Sequence, residues 1–226
     1  MQTAPKIGVI HTSPATVELF GRLLRERLPG ANVVNLLDDS ILPELRDNGG
    51  DLAAVEPRWR DYARIMSDRD VDLVLNACSS IGELCARVQA DIAQPIVRVD
   101  AAMAREAVGR GSRIGVVATL ATTLRPTGDL IVETARARGT SVALDSVLVE
   151  GAYAALVGGD QAGHDDLVAA ALDKATRGND AVVLAQASMA RVLPRLAEAQ
   201  QAKVLTSPAF AVEEVAHRLE GRRAAS

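Results

Sequence analysis

Short apolar runs alternate along the chain with longer segments in which apolar residues recur at helical spacing. Segments 17–28 and 166–176 predict amphipathic helices of this kind. The short runs predict β-strands at residues 6–10, 32–36, 72–75, 96–99, 113–117, 141–145, 181–184 and 203–206. Strands and helices in alternation indicate an α/β fold built from parallel sheets covered by helices.

The pattern is also repeated. "IGVIHTSPAT" at residues 7–16 matches "IGVVATLATT" at residues 114–123, with identical Ile, Gly, Val and two threonines. "DLVLNACSSIG" at residues 72–82 matches "DAVVLAQASMA" at residues 180–190, with identical Asp, Val, Ala and Ser. The offsets are 107 and 108 residues, and a third pair of segments, from Pro95 and from Lys203, keeps the offset of 108.

Three matches in the same order predict two similar α/β halves, residues 1–111 and 112–207, which meet at the glycine-containing segment 109–111. A further helix is expected in residues 208–226, and it can pack back on the first half. No Pro- or Ser-rich linker separates the halves, so we expect them to pack closely.

Composition excludes several classes of protein. The 226 residues are 48% hydrophobic but only 2% aromatic, so Ala, Val and Leu must fill the core. The net charge of −4 is spread without a basic block, which argues against nucleic acid as a partner. No apolar run approaches the ~20 residues that span a membrane, and the N-terminus does not resemble a secretion signal. Two cysteines and three histidines, none at metal-ligand spacing, predict a cytoplasmic protein without a metal.

Polar turns follow the first and third strands of each half. In parallel sheets, ligands bind beyond the carboxyl ends of the strands. Each turn is also expected to open a helix, whose free N–H groups attract an anion. Facing halves would then surround a small carboxylate, although Ser and Thr are also ordinary helix caps. The candidate substrate-binding residues are His11, Thr12, Ser13, Asn76, Ser79, Ser80, Thr119, Thr122, Thr123 and Ser188.

Cys78 is the candidate catalytic residue. It directly follows a strand, at the point where a helix is expected to begin. A helix N-terminus lowers the pKa of a thiol from about 8.5, which makes the thiolate available as a base or nucleophile. Cys85, seven residues further on, fits instead the ordinary pattern of a buried small apolar residue.

These turns together resemble the cofactor-independent aspartate/glutamate/hydantoin racemase superfamily, over essentially the whole chain. "NACSSIGE", "IGVVATLATT" and "LAQASMA" are most similar to a subgroup of unsettled substrate. The resemblance implies two pseudo-symmetric α/β domains with the active site in the cleft between them, no cofactor, a small carboxylate substrate and a homodimer. Racemases of this superfamily use two cysteines, one from each half, on opposite faces of the substrate α-carbon.

Cys78 matches the cysteine of the first half, whereas the position of the second cysteine holds Gln186. An amide neither gains nor loses a proton near neutral pH, but it can donate a hydrogen bond to an enolate oxygen. The resemblance implies an isomerase-type enzyme that acts at the α-carbon of a small carboxylate, amino acid or hydantoin-like substrate. His11, Ser188, His164 or water would then supply the second proton. The alternatives are a one-thiol decarboxylase, lyase or hydrolase, or a non-catalytic protein that binds small carboxylates.

Overall fold

The computed structural model describes residues 4–225, apart from the side chains of Ser188 and of residues 223–225. The chain forms two compact units. Unit 1 comprises the residues up to Val99 and those from Pro208 onward, and unit 2 is Asp100–Ser207. Each unit is a four-stranded parallel sheet with flanking helices, so the predicted α/β class with two parallel-sheet halves is confirmed.

The strands are β1 Lys6–His11, β2 Asn32–Leu37, β3 Leu73–Asn76, β4 Ile96–Arg98, β5 Arg113–Ala118, β6 Ala143–Leu148, β7 Ala181–Leu184 and β8 Val204–Thr206. The α-helices are α1 Pro14–Arg27, α2 Ile41–Asp47, α3 Glu56–Ser67, α4 Leu84–Val88, α5 Ala101–Arg110, α6 Ala121–Ala137, α7 Ala152–Val157, α8 Gln161–Gly178, α9 Glu198–Gln201 and α10 Ser207–Ala225. Short 3₁₀ helices occupy Leu52–Ala54, Ser79–Ile81, Gln89–Asp91 and Ala187–Arg195. In the described part of the chain, no helix is long and apolar enough to cross a membrane.

The two sheets share one topology. Their strand orders are β2-β1-β3-β4 and β6-β5-β7-β8, and all the pairs are parallel. Ile10 pairs with Asn76 in unit 1, and Val117 pairs with Leu184 in unit 2. These pairs differ by the same 107 and 108 residues as the matched sequence segments, so the repeated sequence is a repeated structure.

Each sheet is buried by apolar residues of its own unit. In unit 1, α3 contributes Trp59 to the core on one side of the sheet. On the other side, Phe20 and Leu24 of α1 pack with Val215 of α10. In unit 2, α8 and the segment Ala187–Arg195 form a core around β5 and β7, and α5 packs beside α6 against the same sheet.

The last helix of each repeat belongs to the other unit. The contact boundary lies between Val99 and Asp100, whereas the sequence pattern places the junction at residues 109–111. Helix α5 therefore follows the strands of unit 1 but packs in unit 2. Helix α10 does the reverse, since it follows β8 and its apolar residues are buried in unit 1.

The glycine that both repeats share is needed for close packing. A Cβ on Gly8 would lie 2.9 Å from Sδ of Met66, which ends the apolar face of α3. A Cβ on Gly115 would lie 3.0 Å from Nδ2 of Asn179, directly after α8. The central strand of each unit thus lacks a side chain where it contacts the helix that precedes the neighbouring strand, α3 before β3 and α8 before β7.

The shared aspartate has a structural role as well. Asp72 Oδ2 accepts a hydrogen bond from the backbone N–H of Lys6, at 2.7 Å. Asp180 Oδ2 accepts the N–H groups of Ser112 and Arg113, at 3.0 and 2.9 Å. Each carboxylate holds the beginning of its unit's central strand, at the end of the sheet opposite the polar turns.

Candidate active site

In unit 1, the turns after β1 and β3 lie side by side. The two strands are neighbours, and the backbone N–H of Ala77 donates to the carbonyl of Ile10 at 2.9 Å. Thr12 follows one strand and Cys78 the other, and both are buried, with exposed fractions of 4% and 7%. The sequence therefore brings the predicted thiol to the carboxyl end of the sheet.

Four donor groups surround the Cys78 sulfur and favour its thiolate. They are the hydroxyls of Thr12 and Ser80 and the backbone N–H groups of Ser80 and Ile81. Burial nevertheless outweighs them and raises the pKa of the Cys78 thiol above its ordinary value. At neutral pH the resting group is accordingly a thiol surrounded by donors that favour its thiolate.

The prediction of a lowered pKa for Cys78 is wrong. The turn does not open a regular helix but a three-residue 3₁₀ helix, Ser79–Ile81, and α4 after it has only five residues. So short a segment supplies little of the dipole on which the prediction depended. The turn of Gln186 likewise opens a 3₁₀ helix, Ala187–Arg195.

Asn76, the last residue of β3, fixes the backbone of the Cys78 turn. Its Nδ2 donates to the carbonyl of Cys78 at 3.0 Å and to Sγ of Cys85 at 3.3 Å. Asn76 is fully buried, and Oδ1 has no hydrogen-bond partner in the described structure. The Asn76 side chain thus contacts the main chain of Cys78, the candidate catalytic residue. The carbonyl of Ser79 accepts the N–H of Gly82 and closes the turn.

His11 is built into the fold. Its ring is fully buried, with Nδ1 at 2.8 Å from Oγ1 of Thr16 and Nε2 at 2.9 Å from Oδ1 of Asn35. Burial lowers the pKa of His11, and the hydrogen bond with Asn35 opposes that shift only in part. Thr16 also donates to the carbonyl of Ser13, the N-cap residue of α1. With both nitrogens engaged, His11 holds α1 to the sheet.

In unit 2, Gln186 occupies the position equivalent to Cys78 and contacts the residue equivalent to Thr12. Its Oε1 accepts the backbone N–H of Thr119 at 2.7 Å and the hydroxyl of Thr119 at 3.0 Å. A threonine after the central strand therefore donates to a sulfur in one unit and to an amide oxygen in the other. The alignment of Thr12 with Thr119 in the two repeated segments is the sequence feature from which this contact could have been predicted.

The remaining polar residues of this turn lie at the start of α6. Thr122 is half-buried, and Thr123 is buried with no partner for its hydroxyl in the described structure. Its counterpart Thr16 bonds to His11, whereas unit 2 has Ala118 at the position of that histidine. The hydroxyl of Thr123 is therefore buried without the contact that Thr16 makes in unit 1. The side chain of the remaining candidate, Ser188, lies outside the described residues.

A charged cluster between α8 and the 3₁₀ segment after Gln186 was not predicted. His164 lies in the first turn of α8, fully buried, with Nδ1 at 2.8 Å from Oδ1 of Asp165. Arg191, from the 3₁₀ segment after Gln186, donates to the same carboxylate oxygen at 2.8 Å. The hydrogen bonds to Arg191 and His164 hold the pKa of Asp165 below its usual range against the opposing effect of burial. The cluster fixes the segment that follows Gln186.

Two parallel four-stranded units, each with matched polar turns beyond its central strands, define a duplicated α/β protein with candidate ligand-binding groups at its strand ends. The chain belongs to the Asp/Glu/Hydantoin racemase family, whose family model matches residues 7–215.

Individual relatives agree with this family. Glutamate racemase from Gloeothece citriformis (strain PCC 7424) is 29% identical over 117 residues, a match that covers 51% of this chain and 41% of that protein. The crystal structure of glutamate racemase isoform RacE1 from Bacillus anthracis superposes with a TM-score of 0.75 at 16% identity, covering 98% of this chain and 84% of that chain. A cysteine-substituted mutant of arylmalonate decarboxylase shares the fold at a TM-score of 0.60 and 20% identity, with 96% and 94% of the two chains covered.

Proposed function

We propose that the protein is a cofactor-independent racemase-type enzyme that acts at the α-carbon of a small carboxylate, amino acid or hydantoin-like substrate, with Cys78 as its acid/base. The observation that supports this proposal is the sulfur of Cys78, placed at the carboxyl end of β3 among donors from Thr12, Ser80 and Ile81. A sulfur in such a setting can take up a proton and give it back, because the donors stabilise the thiolate that forms in between.

In the proposed reaction the thiolate of Cys78 removes the α-proton of the substrate. The C–H bond breaks, its electron pair moves into the adjacent carbonyl group as an enolate, and the proton passes to sulfur. Because burial raises the pKa of Cys78, its thiolate is a stronger base than that of an ordinary cysteine. Gln186 donates a hydrogen bond from Nε2 to the enolate oxygen and transfers no proton. Water supplies a proton to the opposite face, and the hydroxide that is left takes the proton from the Cys78 thiol, which restores the thiolate.

The polar turns are proposed to hold the substrate carboxylate. At the start of α6, the N–H of Thr123 donates to the carbonyl of Leu120, whereas the N–H groups of Ala121 and Thr122 lie in the first turn, where a helix attracts an anion. The proposed binding groups are the side chains or backbone amides of Thr12, Ser13, Asn76, Ser79, Ser80, Thr119, Thr122, Thr123 and Ser188. His11 is left out, since both of its ring nitrogens are engaged within unit 1.

Exchange of the α-proton with solvent tests the proposal. The protein in D₂O is incubated with a panel of small carboxylates, amino acids and hydantoins, and loss of the Cα–H signal is followed by NMR. Cys78→Ser should abolish exchange, because an alcohol is a far poorer base than a thiolate at neutral pH. Cys85→Ala is the matched control, since it also removes one buried thiol and should retain exchange. Exchange that survives Cys78→Ser would refute the assigned role.

Decarboxylation is the second candidate, and two observations favour it. Cys78 rests as a thiol at neutral pH because burial raises its pKa, and Gln186 cannot relay a proton. In this reaction the C–C bond to a carboxylate breaks, CO₂ leaves, and the electron pair stays on the α-carbon. The S–H proton of Cys78 then passes to that carbon, and water reprotonates the sulfur. Release of ¹³CO₂ from labelled malonates, measured by NMR, distinguishes this reaction from racemisation.

The homodimer and the cytoplasmic location stay predictions. Sedimentation velocity of the purified protein tests the first, with a mass of two chains as the expected result. Fractionation of the cells that make the protein tests the second.

A further inference from the structure

Asn76 ends β3 at a position where the second repeat has an apolar residue. It pairs with Ile10 in the sheet of unit 1. Its counterpart at the offset of 108 residues is Leu184, which pairs with Val117 in unit 2. Both side chains are fully buried. The fold thus fills this core position with an aliphatic side chain in one unit and with an amide in the other.

The amide of Asn76 is only half satisfied. Nδ2 donates to the carbonyl of Cys78 at 3.0 Å and to Sγ of Cys85 at 3.3 Å, whereas Oδ1 is buried without a hydrogen-bond partner among the described residues. The reversed amide would place Oδ1 against the carbonyl oxygen of Cys78, so the orientation is fixed. A buried oxygen without a donor lowers the stability of the folded state. An asparagine with this disadvantage, where the equivalent strand has leucine, indicates a role for its amino group.

The amino group supplies a contact that the backbone makes in unit 2. There, the carbonyl of Gln186 accepts the N–H of Met189, three residues further on, at 3.2 Å. The equivalent residues of unit 1 are Cys78 and Ile81. The N–H of Ile81 is one of the donors that favour the Cys78 thiolate, while the carbonyl of Cys78 has Nδ2 of Asn76 as its donor. The side chain of Asn76 therefore leaves a backbone donor for the sulfur.

We propose that Asn76 is a positioning residue for Cys78, which directs the N–H of Ile81 to the sulfur by donating to the carbonyl of Cys78. The proposal rests on the proposed function, in which Asn76 is one of the substrate-binding groups, and it assigns the side chain to the thiol. Without this amino group, the N–H of Ile81 turns to the carbonyl, as the N–H of Met189 does in unit 2. The thiolate then loses one donor, and the pKa of Cys78 rises further.

Alkylation with iodoacetamide measures this effect without turnover. Two variants remove the amino group: Asn76→Leu introduces the residue of the second repeat, and Asn76→Ala cannot overpack the core. Both should slow labelling of Cys78 at pH 8 by about tenfold, the scale of one hydrogen bond to a charged group. The rate should also continue to rise to a higher pH than in the unmodified protein. Mass spectrometry of fragment ions separates the label on Cys78 from that on Cys85, and thermal unfolding shows that each variant is folded.

A purely structural role of Asn76 predicts the opposite result. A loosened core would expose both buried thiols, so that Cys78 and Cys85 would be labelled faster. The matched control is Asn179→Ala in unit 2, where Nδ2 of a buried asparagine also donates to a backbone carbonyl, that of Ala175, at 3.0 Å. This control should leave the labelling rate of Cys78 unchanged.

Turnover distinguishes positioning of the thiol from binding of the substrate. In the Cα–H exchange assay, Asn76→Ala should lower kcat and leave KM nearly unchanged, because the thiol and not the substrate loses a contact. The proposal is overturned if either folded variant labels Cys78 at the unmodified rate or faster, or if KM rises while kcat stays constant. If labelling slows as expected but the unmodified protein neither exchanges Cα–H nor releases CO₂, the role of Asn76 stands and the proposed function fails.

Discussion

Thr12 and Thr119 present the same hydroxyl to different acceptors, a sulfur in unit 1 and an amide oxygen in unit 2. The sulfur can carry a negative charge and the amide cannot, so the two hydrogen bonds have different chemical effects. On Cys78, the donor from Thr12 lowers a pKa that burial raises. On Gln186, it fixes an orientation.

The effect on Cys78 is measurable as a rate of alkylation. Because burial raises its pKa, Cys78 should react with iodoacetamide more slowly than a free thiol at pH 7.5. Its rate should also continue to rise with pH in the range where the rate of a free thiol has levelled off. Thr12→Val removes one donor and should slow labelling at pH 8 by about fivefold, the scale of one hydrogen bond. Mass spectrometry in a Cys85→Ala background reports Cys78 alone. Thr119→Val is the matched control, and equal effects of the two substitutions would contradict the assignment.

A thiol at position 186 should restore the symmetric arrangement. In Gln186→Cys, the N–H and hydroxyl of Thr119 become donors to sulfur, as Thr12 and Ser80 are in unit 1. We expect this variant to create or raise racemisation of a small amino acid or hydantoin, measured by chiral chromatography. Gln186→Ala should instead reduce turnover by about 10²-fold if the amide is an oxyanion donor. If the unmodified enzyme already racemises its substrate and Gln186→Ala does so equally well, Gln186 is not an oxyanion donor and the one-thiol mechanism is wrong.

The strands and their turns could be predicted from the sequence because they repeat. A shared offset places Cys78 and Gln186 at equivalent ends of β3 and β7, and the register of both sheets agrees. The edge strand β6 was displaced by two to three residues, since its polar, partly exposed sequence lacks a sharp apolar boundary. The pKa of Cys78 could not be predicted, because burial and the length of the following helix depend on tertiary packing.

Helix packing on the central strand of unit 1 should tolerate no side chain at Gly8. A Cβ there would lie 2.9 Å from Sδ and 3.2 Å from Cγ of Met66, which is itself almost fully buried. Gly8→Ala is expected to lower the free energy of unfolding by about 1–3 kcal/mol, the usual effect of an overpacked core. Urea denaturation measures it. The double variant Gly8→Ala, Met66→Ala should be more stable than the sum of the single effects allows, and strict additivity would contradict this contact.

At the scale of the whole molecule, the two units differ in chain continuity. Unit 2 is one segment, Asp100–Ser207, whereas unit 1 needs α10 from the far end of the chain. Ala211, Val215 and Leu219 of that helix pack on the strands and α1 of unit 1.

Fragments should reveal this difference. Residues 100–207 alone should unfold cooperatively in urea, whereas residues 1–99 alone should not, because one face of their sheet is then covered only by α1. Adding a peptide of residues 208–226 should restore a cooperative transition to the fragment 1–99. Circular dichroism and intrinsic fluorescence of Trp59 follow both transitions. A fragment 1–99 that unfolds cooperatively without the peptide would show that α10 is dispensable.

The position of α10 also reverses the usual order of folding during synthesis. The first unit to leave the ribosome has strands β1 to β4, but one face has only α1 as cover until residues beyond Pro208 are made. At about 5–20 residues per second, that wait lasts roughly 5 to 20 s. Unit 2, translated in between, has all of its elements before the chain is finished. The nascent chain therefore exposes the apolar surface of Ile7, Leu73 and Leu75 while its second unit closes first.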